Sequence, residues 1–344
     1  MQTKEILKDL VKFNTIRDLE NKKIMDYIEE YLMKYNFKIE RINKCLIAYN
    51  SESPSIGFIG HTDTVDYATW DYNPHELVED NDKLIGLGAC DMKGGIAAIL
   101  KAIDEIDLEK NKIALYFTNN EEVNFEGIKT IKDRIIPNNV IIGEPTDNIP
   151  IYGTKGVIEL HIEFYGIKCH SSNPDKGVSA INRCLKFIKD LEEYYENEIK
   201  CDILNDFDIP YTTMNIGMIK GGESVNSLAG KCEISIDFRI IKIEHLDIID
   251  KIKILLEKYD SKLEVRQKIG PNINNNDISF LEKISSKKKT KCYLTEGSYI
   301  DKNFIILGPG PDTSHEKNEY ILNSSLEKTV NLYKTIIEYY NEEE

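Results

Sequence analysis

The sequence predicts an α/β protein, in which a mixed-sheet α/β domain is interrupted by an inserted ferredoxin-like α+β domain. Three observations carry this reading. Short apolar runs alternate with helical stretches towards both ends of the chain, as in an open α/β sheet. The middle of the chain reads β-α-β-β-α-β, the order of a ferredoxin-like unit. Gly and Pro punctuate both borders of that middle, with Gly153-Thr154-Lys155-Gly156 in front and Gly270-Pro271 behind. Residues 1–154 and 271–344 are therefore expected to form one domain together. Residues 155–270 form the second, carried on a two-strand hinge.

In chain order, the opening is helical. Ile6, Leu7, Leu10 and Val11 share one face, and Ile24, Ile28, Tyr31, Leu32 and Tyr35 share another. Four apolar runs then read as strands: Ser55–Gly60, Lys112–Thr118, Asn139–Gly143 and, much later, Asn303–Gly308. An amphipathic helix over Lys93–Ile106 separates the first two. In the middle, Gly156–Tyr165 alternates like a half-exposed strand and Gly177–Glu196 is helical. Tyr211–Lys220 and Gly230–Ile240 are strands, Ile243–Lys258 is helical, and Ser261–Lys268 is the last strand. The basic run at 285–291 and the acidic tail read as solvated faces.

Composition excludes several classes of function. The chain has 344 residues, 41% apolar and 30% charged, enough for a sizeable core. Acids outnumber bases by 59 to 44, for a net charge of −15, which repels nucleic acid and anionic lipid. No apolar run is long enough to span a membrane, and the opening MQTKEILKDL lacks a signal-peptide core, so a cytoplasmic protein is expected. The seven cysteines are scattered with no CxxC pair and read as reduced, buried thiols.

Each apolar run leads directly into residues able to carry chemistry. His61-Thr62-Asp63 comes after the first, Glu121-Glu122 after the second, Glu144-Pro145 after the third, and a Gly/Pro-rich loop ending in His315 after the fourth. In an open α/β sheet these strand ends share one edge, where ligands bind. A further carboxylate, Asp91, sits in the tight loop Gly88–Gly95. Taken singly, each has an ordinary structural explanation: a packed histidine, a surface Glu pair, a helix cap at Asp91, a turn cap at Asp63. Jointly, two histidines and three carboxylates without cysteine suit Zn²⁺ or a similar divalent ion. Five ligands exceed the needs of one tetrahedral ion. With one carboxylate bridging they serve two ions about 3.5 Å apart. Glu121, beside a ligand but not needed as one, is then free to act as a base.

The motifs HTDTV at 61–65, GACDMKGG at 88–95, TNNEE at 118–122, GEPT at 143–146 and the terminal His315 resemble the signature of one family. It is the acetylornithine deacetylase and succinyl-diaminopimelate desuccinylase family of dinuclear zinc amidohydrolases, which also holds aminoacylases, carboxypeptidases and dipeptidases. The match runs over nearly the whole chain. The resemblance implies a catalytic α/β domain with a ferredoxin-like lid, two Zn²⁺ per subunit with Co²⁺ able to substitute, and a homodimer formed through the lid. It implies that Asp91 bridges the ions, that His61 and Glu144 complete one site, and that Glu122 and His315 complete the other. Glu121 is then the general base, and Asp63 orients the His61 imidazole. In the lid, His170 in HSSNP resembles the histidine that polarises the scissile carbonyl, usually in the neighbouring subunit's site. Asn226 and Arg239 resemble residues that hold the substrate, Arg239 through its α-carboxylate. His75, His161 and His245 match no ligand motif and are expected on the surface or in packing.

Within the family, Leu294-Thr295-Glu296-Gly297-Ser298 looks more like the Thr-Glu-Ala loop of acetylornithine deacetylases than the desuccinylase loop. A Glu at 296 near the substrate suits a cationic side chain such as ornithine's. The loop departs from that pattern at Gly297 and Ser298-Tyr299, and the closing loop GPGPDTSHEKNEY is similar to that of carrier-protein lysine hydrolases. The expected reaction is deacetylation of N-acetylornithine to acetate and ornithine, a step of arginine biosynthesis. Carrier-protein-linked lysine or ornithine hydrolysis, N-succinyl-diaminopimelate desuccinylation, and dipeptidase or aminoacylase activity are the alternatives. A non-catalytic metal-binding relative would normally have lost a ligand or the base, and none is lost here. A thiol hydrolase using Cys90 or Cys169 is disfavoured, because Cys90 directly precedes Asp91 and is expected to pack beneath the metals.

Overall fold

All four apolar runs form parallel strands that are neighbours in one sheet. In spatial order they are Ile113–Thr118, Ile56–His61, Asn139–Ile142 and Asn303–Ile306. Their C-terminal ends therefore open on one edge. The computed structural model describes residues 1–17, 21–67, 69–274, 285 and 289–342. The chain divides into two compact units: 1–152 with 274–289 and 295–344, and 153–273 with 290–294.

In the first unit an antiparallel hairpin, Lys38–Ile42 with Cys45–Tyr49, extends the sheet beside Ile113–Thr118. No strand is expected there from sequence: both segments are five residues long, and the first carries three charges at Lys38, Glu40 and Arg41. The last helix, Asn323–Glu342, is likewise not among the expected elements, although Leu326, Val330, Tyr333, Ile337 and Tyr340 recur at helical spacing and are buried. The helix Gly94–Glu105 differs from the amphipathic expectation: nine of its twelve residues are buried. It packs against both Thr3–Val11 and Asn323–Glu342, so it has almost no solvent face. The basic run is not wholly solvated either. Lys289–Lys291 is a strand with Thr290 buried, while 286–288 lie outside the described residues. All seven cysteines are free, but Cys201 is exposed and Cys169 and Cys292 are half-buried, a correction to the uniformly buried reading.

The second unit is a four-stranded antiparallel sheet in the order Thr213–Gly221, Lys231–Ile240, Gly156–Tyr165, Ser261–Ile269. Alternate residues Ile158, Leu160, Ile162 and Phe164 face the helices Ala180–Tyr194 and Ile248–Leu256 and form the core with Phe187, Leu191 and Ile252. This is the ferredoxin-like arrangement. Among the described residues no helix is long and apolar enough to cross a membrane.

The start of the Gly94–Glu105 helix lies against the end of the Asn139–Ile142 strand. A Cβ at Gly95 would fall 2.0 Å from the Gly143 carbonyl oxygen, main chain against main chain. Gly95→Ala is therefore expected to destabilise the protein by about 1–3 kcal/mol, as overpacking does when the backbone must yield. Urea unfolding measures this, and an unchanged midpoint would contradict the close approach.

Candidate metal centre

His61 is the last residue of its strand and is fully buried. Its Nδ1–H donates to the Asp63 main-chain carbonyl at 3.0 Å, which turns Nε2 towards Asp91 Oδ1 at 3.0 Å and Glu144 Oε1 at 3.4 Å. On the other side His315 Nε2 lies 3.0 Å from Glu122 Oε1 and 3.4 Å from Asp91 Oδ2. The two oxygens of Asp91 thus face different histidines. The donor atoms group as His61, Asp91 and Glu144 in one trio and Asp91, Glu122 and His315 in another, each within 4.8 Å, and His61 also groups with Glu121 and Glu122. Donors of this kind, imidazole nitrogen and carboxylate oxygen, fit divalent ions such as zinc.

Local backbone geometry explains the placement. Gly88 adopts φ +75°, opening the loop that presents Asp91. Asp91 is not a helix cap, since the helix begins at Gly94 without a side-chain cap. After Thr118 the chain turns through Asn120 at φ +61° into the short helix Glu121–Asn124. There the Asp63 carboxylate accepts the main-chain N–H of Glu121 at 3.3 Å and of Glu122 at 3.1 Å. Asp63 meets His61 through its main-chain carbonyl, and its carboxylate stands 3.7 Å from Nδ1 while it also anchors the Glu121-Glu122 turn.

Electrostatics at the site are dominated by burial and like charge. Burial opposes ionisation of Asp91, but hydrogen bonds from His315 and His61 outweigh it and hold its carboxyl well below the usual range. Glu121 and Glu144 are both raised well above the usual range by burial. His61 opposes the rise at Glu121, where Glu144, Glu296 and Asp91 add to it, and the Asp91 charge adds to it at Glu144. Burial would push His61 down, yet the Glu144 charge and bonds to Asp91 and Glu144 hold it well above. Hydrogen bonds to Asp91 and Glu122 push His315 up to about 10.

Glu296 requires a correction. It is 0% exposed, its Oε1 accepts from the Thr118 hydroxyl at 3.1 Å, and its Oε2 is buried without a hydrogen-bond partner. It lies with Glu121 and Glu144, their oxygens within 4.8 Å, and no part of it is open to solvent. Local sequence carries no sign of this burial. Glu319, in the closing loop but assigned no role from the sequence, also belongs to the site: it is buried and accepts the main-chain N–H groups of Cys90 and Asp91. Burial and the Asp91 charge push it up to about 8.

The remaining expected site residues lie in the second unit. The His170 and Asn226 segments are paired: Ser171 N–H donates to the Asn226 carbonyl at 2.9 Å, and His170 bridges Ser227. His170 Nδ1 meets the Ser172 hydroxyl at 2.7 Å. Arg239 is half-exposed, bonds Asp237 at 2.9 Å, and lies at the far end of the Lys231–Ile240 strand from that pair. Of the other histidines, His245 is buried between Thr212 and Asp202, His75 packs on Tyr67, and His161 bonds Ser235.

Comparison with known proteins agrees with this geometry. A peptidase dimerisation domain model of the M20 family matches residues 152–264. The acetylornithine deacetylase of Buchnera aphidicola subsp. Acyrthosiphon pisum (strain Tuc7) is 30% identical over 97% of this chain and 96% of its own length. A tripeptidase from Staphylococcus aureus subsp. aureus Mu50 has the same fold, with a TM-score of 0.82 at 21% identity over 99% of this chain and 98% of its own. A Bacillus subtilis protein described as a dinuclear metal-binding peptidase of the M20 family superposes with a TM-score of 0.72 at 12% identity, over 97% and 96% of the two chains. The chain belongs to the M20 family of metal-dependent hydrolases. Its reaction class is hydrolysis of an amide bond in a small molecule.

A metal ion entering the second trio must displace the proton that His315 holds up to about pH 10. Metal affinity is therefore expected to rise with pH, by up to about tenfold per unit per proton released, and to level off above that value. Competition with a chelator at several pH values measures the slope. A flat profile between pH 7 and 9 would contradict it.

Proposed function

We propose that the protein is an amidohydrolase of N-acyl amino acids that deacetylates N-acetylornithine, yielding the ornithine used in arginine biosynthesis. The observation that carries the hydrolytic reading is the split of Asp91: one oxygen towards His61, the other towards His315. In this reading Asp91 would be shared by two ions, Zn²⁺ with Co²⁺ as a substitute. His61 and Glu144 would help hold one, and Glu122 and His315 the other. When bound, the ions polarise the amide carbonyl and make water acidic enough to attack near neutral pH.

The chain's own residues supply the rest. Glu121 stands next to Glu122 and outside both trios, and its raised proton affinity suits a group that takes a proton and gives it back. It accepts the proton of the attacking water and delivers it to the departing amine. The Asp63 carboxylate holds the main chain of Glu121 and Glu122, fixing base and ligand relative to each other. His170 donates to the developing oxyanion. Similarity to the Buchnera enzyme over nearly the full length of both chains supports acetylornithine as substrate. The loop around Glu296 supports it less than its sequence suggests, since that carboxylate is buried.

The unit containing residues 153–273 serves in this reading as lid and dimerisation domain. Its internal geometry supports a site shared between two copies. Arg239 lies near the end of the Lys231–Ile240 strand and the His170–Asn226 pair comes before its start, while Lys231 and Arg239 alone are about 27 Å apart at the usual rise per residue. An extended N-acetylornithine spans roughly 10 Å. In this reading the two groups that meet one substrate therefore come from two copies of the chain.

With Zn²⁺ or Co²⁺ added, turnover is expected on N-acetylornithine ahead of N-acetylcitrulline, N-succinyl-diaminopimelate and a dipeptide. Glu121→Gln should abolish it, a loss of at least about 10²–10⁴-fold, with both ions retained. Preference for another substrate would replace the acetylornithine assignment. Loss of an ion in Glu121→Gln would make Glu121 a ligand.

His170→Ala should lower kcat on the order of 10²–10³-fold without loss of metal. Verified heterodimers of His170→Ala with Glu121→Ala subunits should regain activity, because each hybrid holds one intact site. Hybrids as inactive as their parents would place His170 in its own subunit's site.

A further inference from the structure

One buried carboxylate that the mechanism does not use joins two of the three segments carrying the second trio, the loops of Asp91 and His315. Glu319 is 2% exposed and accepts the Cys90 N–H at 3.0 Å and the Asp91 N–H at 3.3 Å. It comes four residues after His315, in a loop closed by the Thr313 hydroxyl. That hydroxyl donates to the Tyr320 carbonyl at 2.8 Å and accepts the Tyr320 N–H at 2.9 Å. The Cys90 thiol completes the seam, accepting the Thr313 N–H at 3.3 Å and donating to the Pro311 carbonyl at 3.4 Å. Glu319 itself is anchored: its main-chain carbonyl accepts the Gly86 N–H at 3.2 Å, and Tyr320 enters a strand paired with Lys83–Ile85.

We propose that Glu319 is a positioning residue. By accepting both N–H groups it fixes Asp91 relative to His315 and sets the affinity of the site formed by Asp91, Glu122 and His315. The inference rests on the ligand assignment proposed above. A metal site tolerates only about 0.2 Å of error in its donor distances. His315 and Asp91 come from loops more than two hundred residues apart, and His315 is itself half-exposed. With the Cys90 thiol, Glu319 ties the loop of His315 to the loop of Asp91, across which Nε2 and Oδ2 lie 3.4 Å apart. A carboxyl oxygen carries two lone pairs and can accept two adjacent main-chain donors at once. Glu319 is a member of neither trio. It acts through Asp91.

The test is titration of the metal-free protein with Zn²⁺, counting bound ions by equilibrium dialysis in wild type, Glu319→Ala, Glu319→Gln and Glu319→Asp. Fewer than two ions in wild type would fail the ligand assignment itself. With two in wild type, Glu319→Ala is expected to bind one ion about 10–100-fold more weakly, the range for lost outer-shell partners, and the other nearly normally. Glu319→Gln, whose amide oxygen still accepts, should restore the weakened ion. Metal-free Ala and Gln variants should melt at similar temperatures, which separates positioning from a general loss of stability. Wild-type affinity in Glu319→Ala, equal losses at both sites, or a Gln variant as weak as Ala would each overturn the proposal. If Glu319→Ala does not fold, the other pair decides. Asp withdraws the carboxylate by about 1.5 Å and must weaken one ion where Gln does not. Equal binding by Gln and Asp overturns it.

Discussion

Seven carboxylates, those of Asp63, Asp91, Glu121, Glu122, Glu144, Glu296 and Glu319, gather at one edge of the parallel sheet with two histidines to face them. Like charges this close resist ionisation, and burial adds to the resistance, which is why Glu121, Glu144 and Glu296 all hold protons more tightly than free carboxyls do. Such a cluster is tolerable only where positive charge balances it. The imidazoles of His61 and His315 do so in part. Divalent ions do so more completely, and their binding free energy then adds to the stability of the folded state.

Five of the seven divide by how they are held. Asp91, Glu122 and Glu144 turn their oxygens to the histidines, as ligands must. Asp63 and Glu319 are each tied to two main-chain N–H groups. Each binds the main chain of a residue that serves the site: Asp63 that of Glu121 and Glu122, Glu319 that of Asp91. Precision at the centre thus comes from main-chain hydrogen bonds one step removed from it, with acceptors strong enough to hold a loop still.

Packing beneath the edge meets the same demand. The helix Gly94–Glu105 must start close enough for Asp91 to reach the strand ends, and only a residue without Cβ lets it lie against Gly143. Its burial on nearly every side, between the first and last helices, makes the loop in front of it stiff.

Sequence alone determined the parallel strands, the ligand-bearing turns after them, and the ferredoxin order of the inserted unit. Hydrophobic period and turn residues are local, and parallel strands share an edge at their C-terminal ends by geometry. It also carried, unread, the helical spacing of Asn323–Glu342. Tertiary structure alone decided that Glu296 is buried beside Glu121 and Glu144, that the Asp63 carboxylate serves the Glu121-Glu122 turn, and that Glu319 clasps the Asp91 loop. These bonds join residues 58 to 229 positions apart. An acid in a Glu-rich chain looks the same in sequence whether it faces solvent or a buried N–H, because burial depends on which distant segments the fold stacks against it.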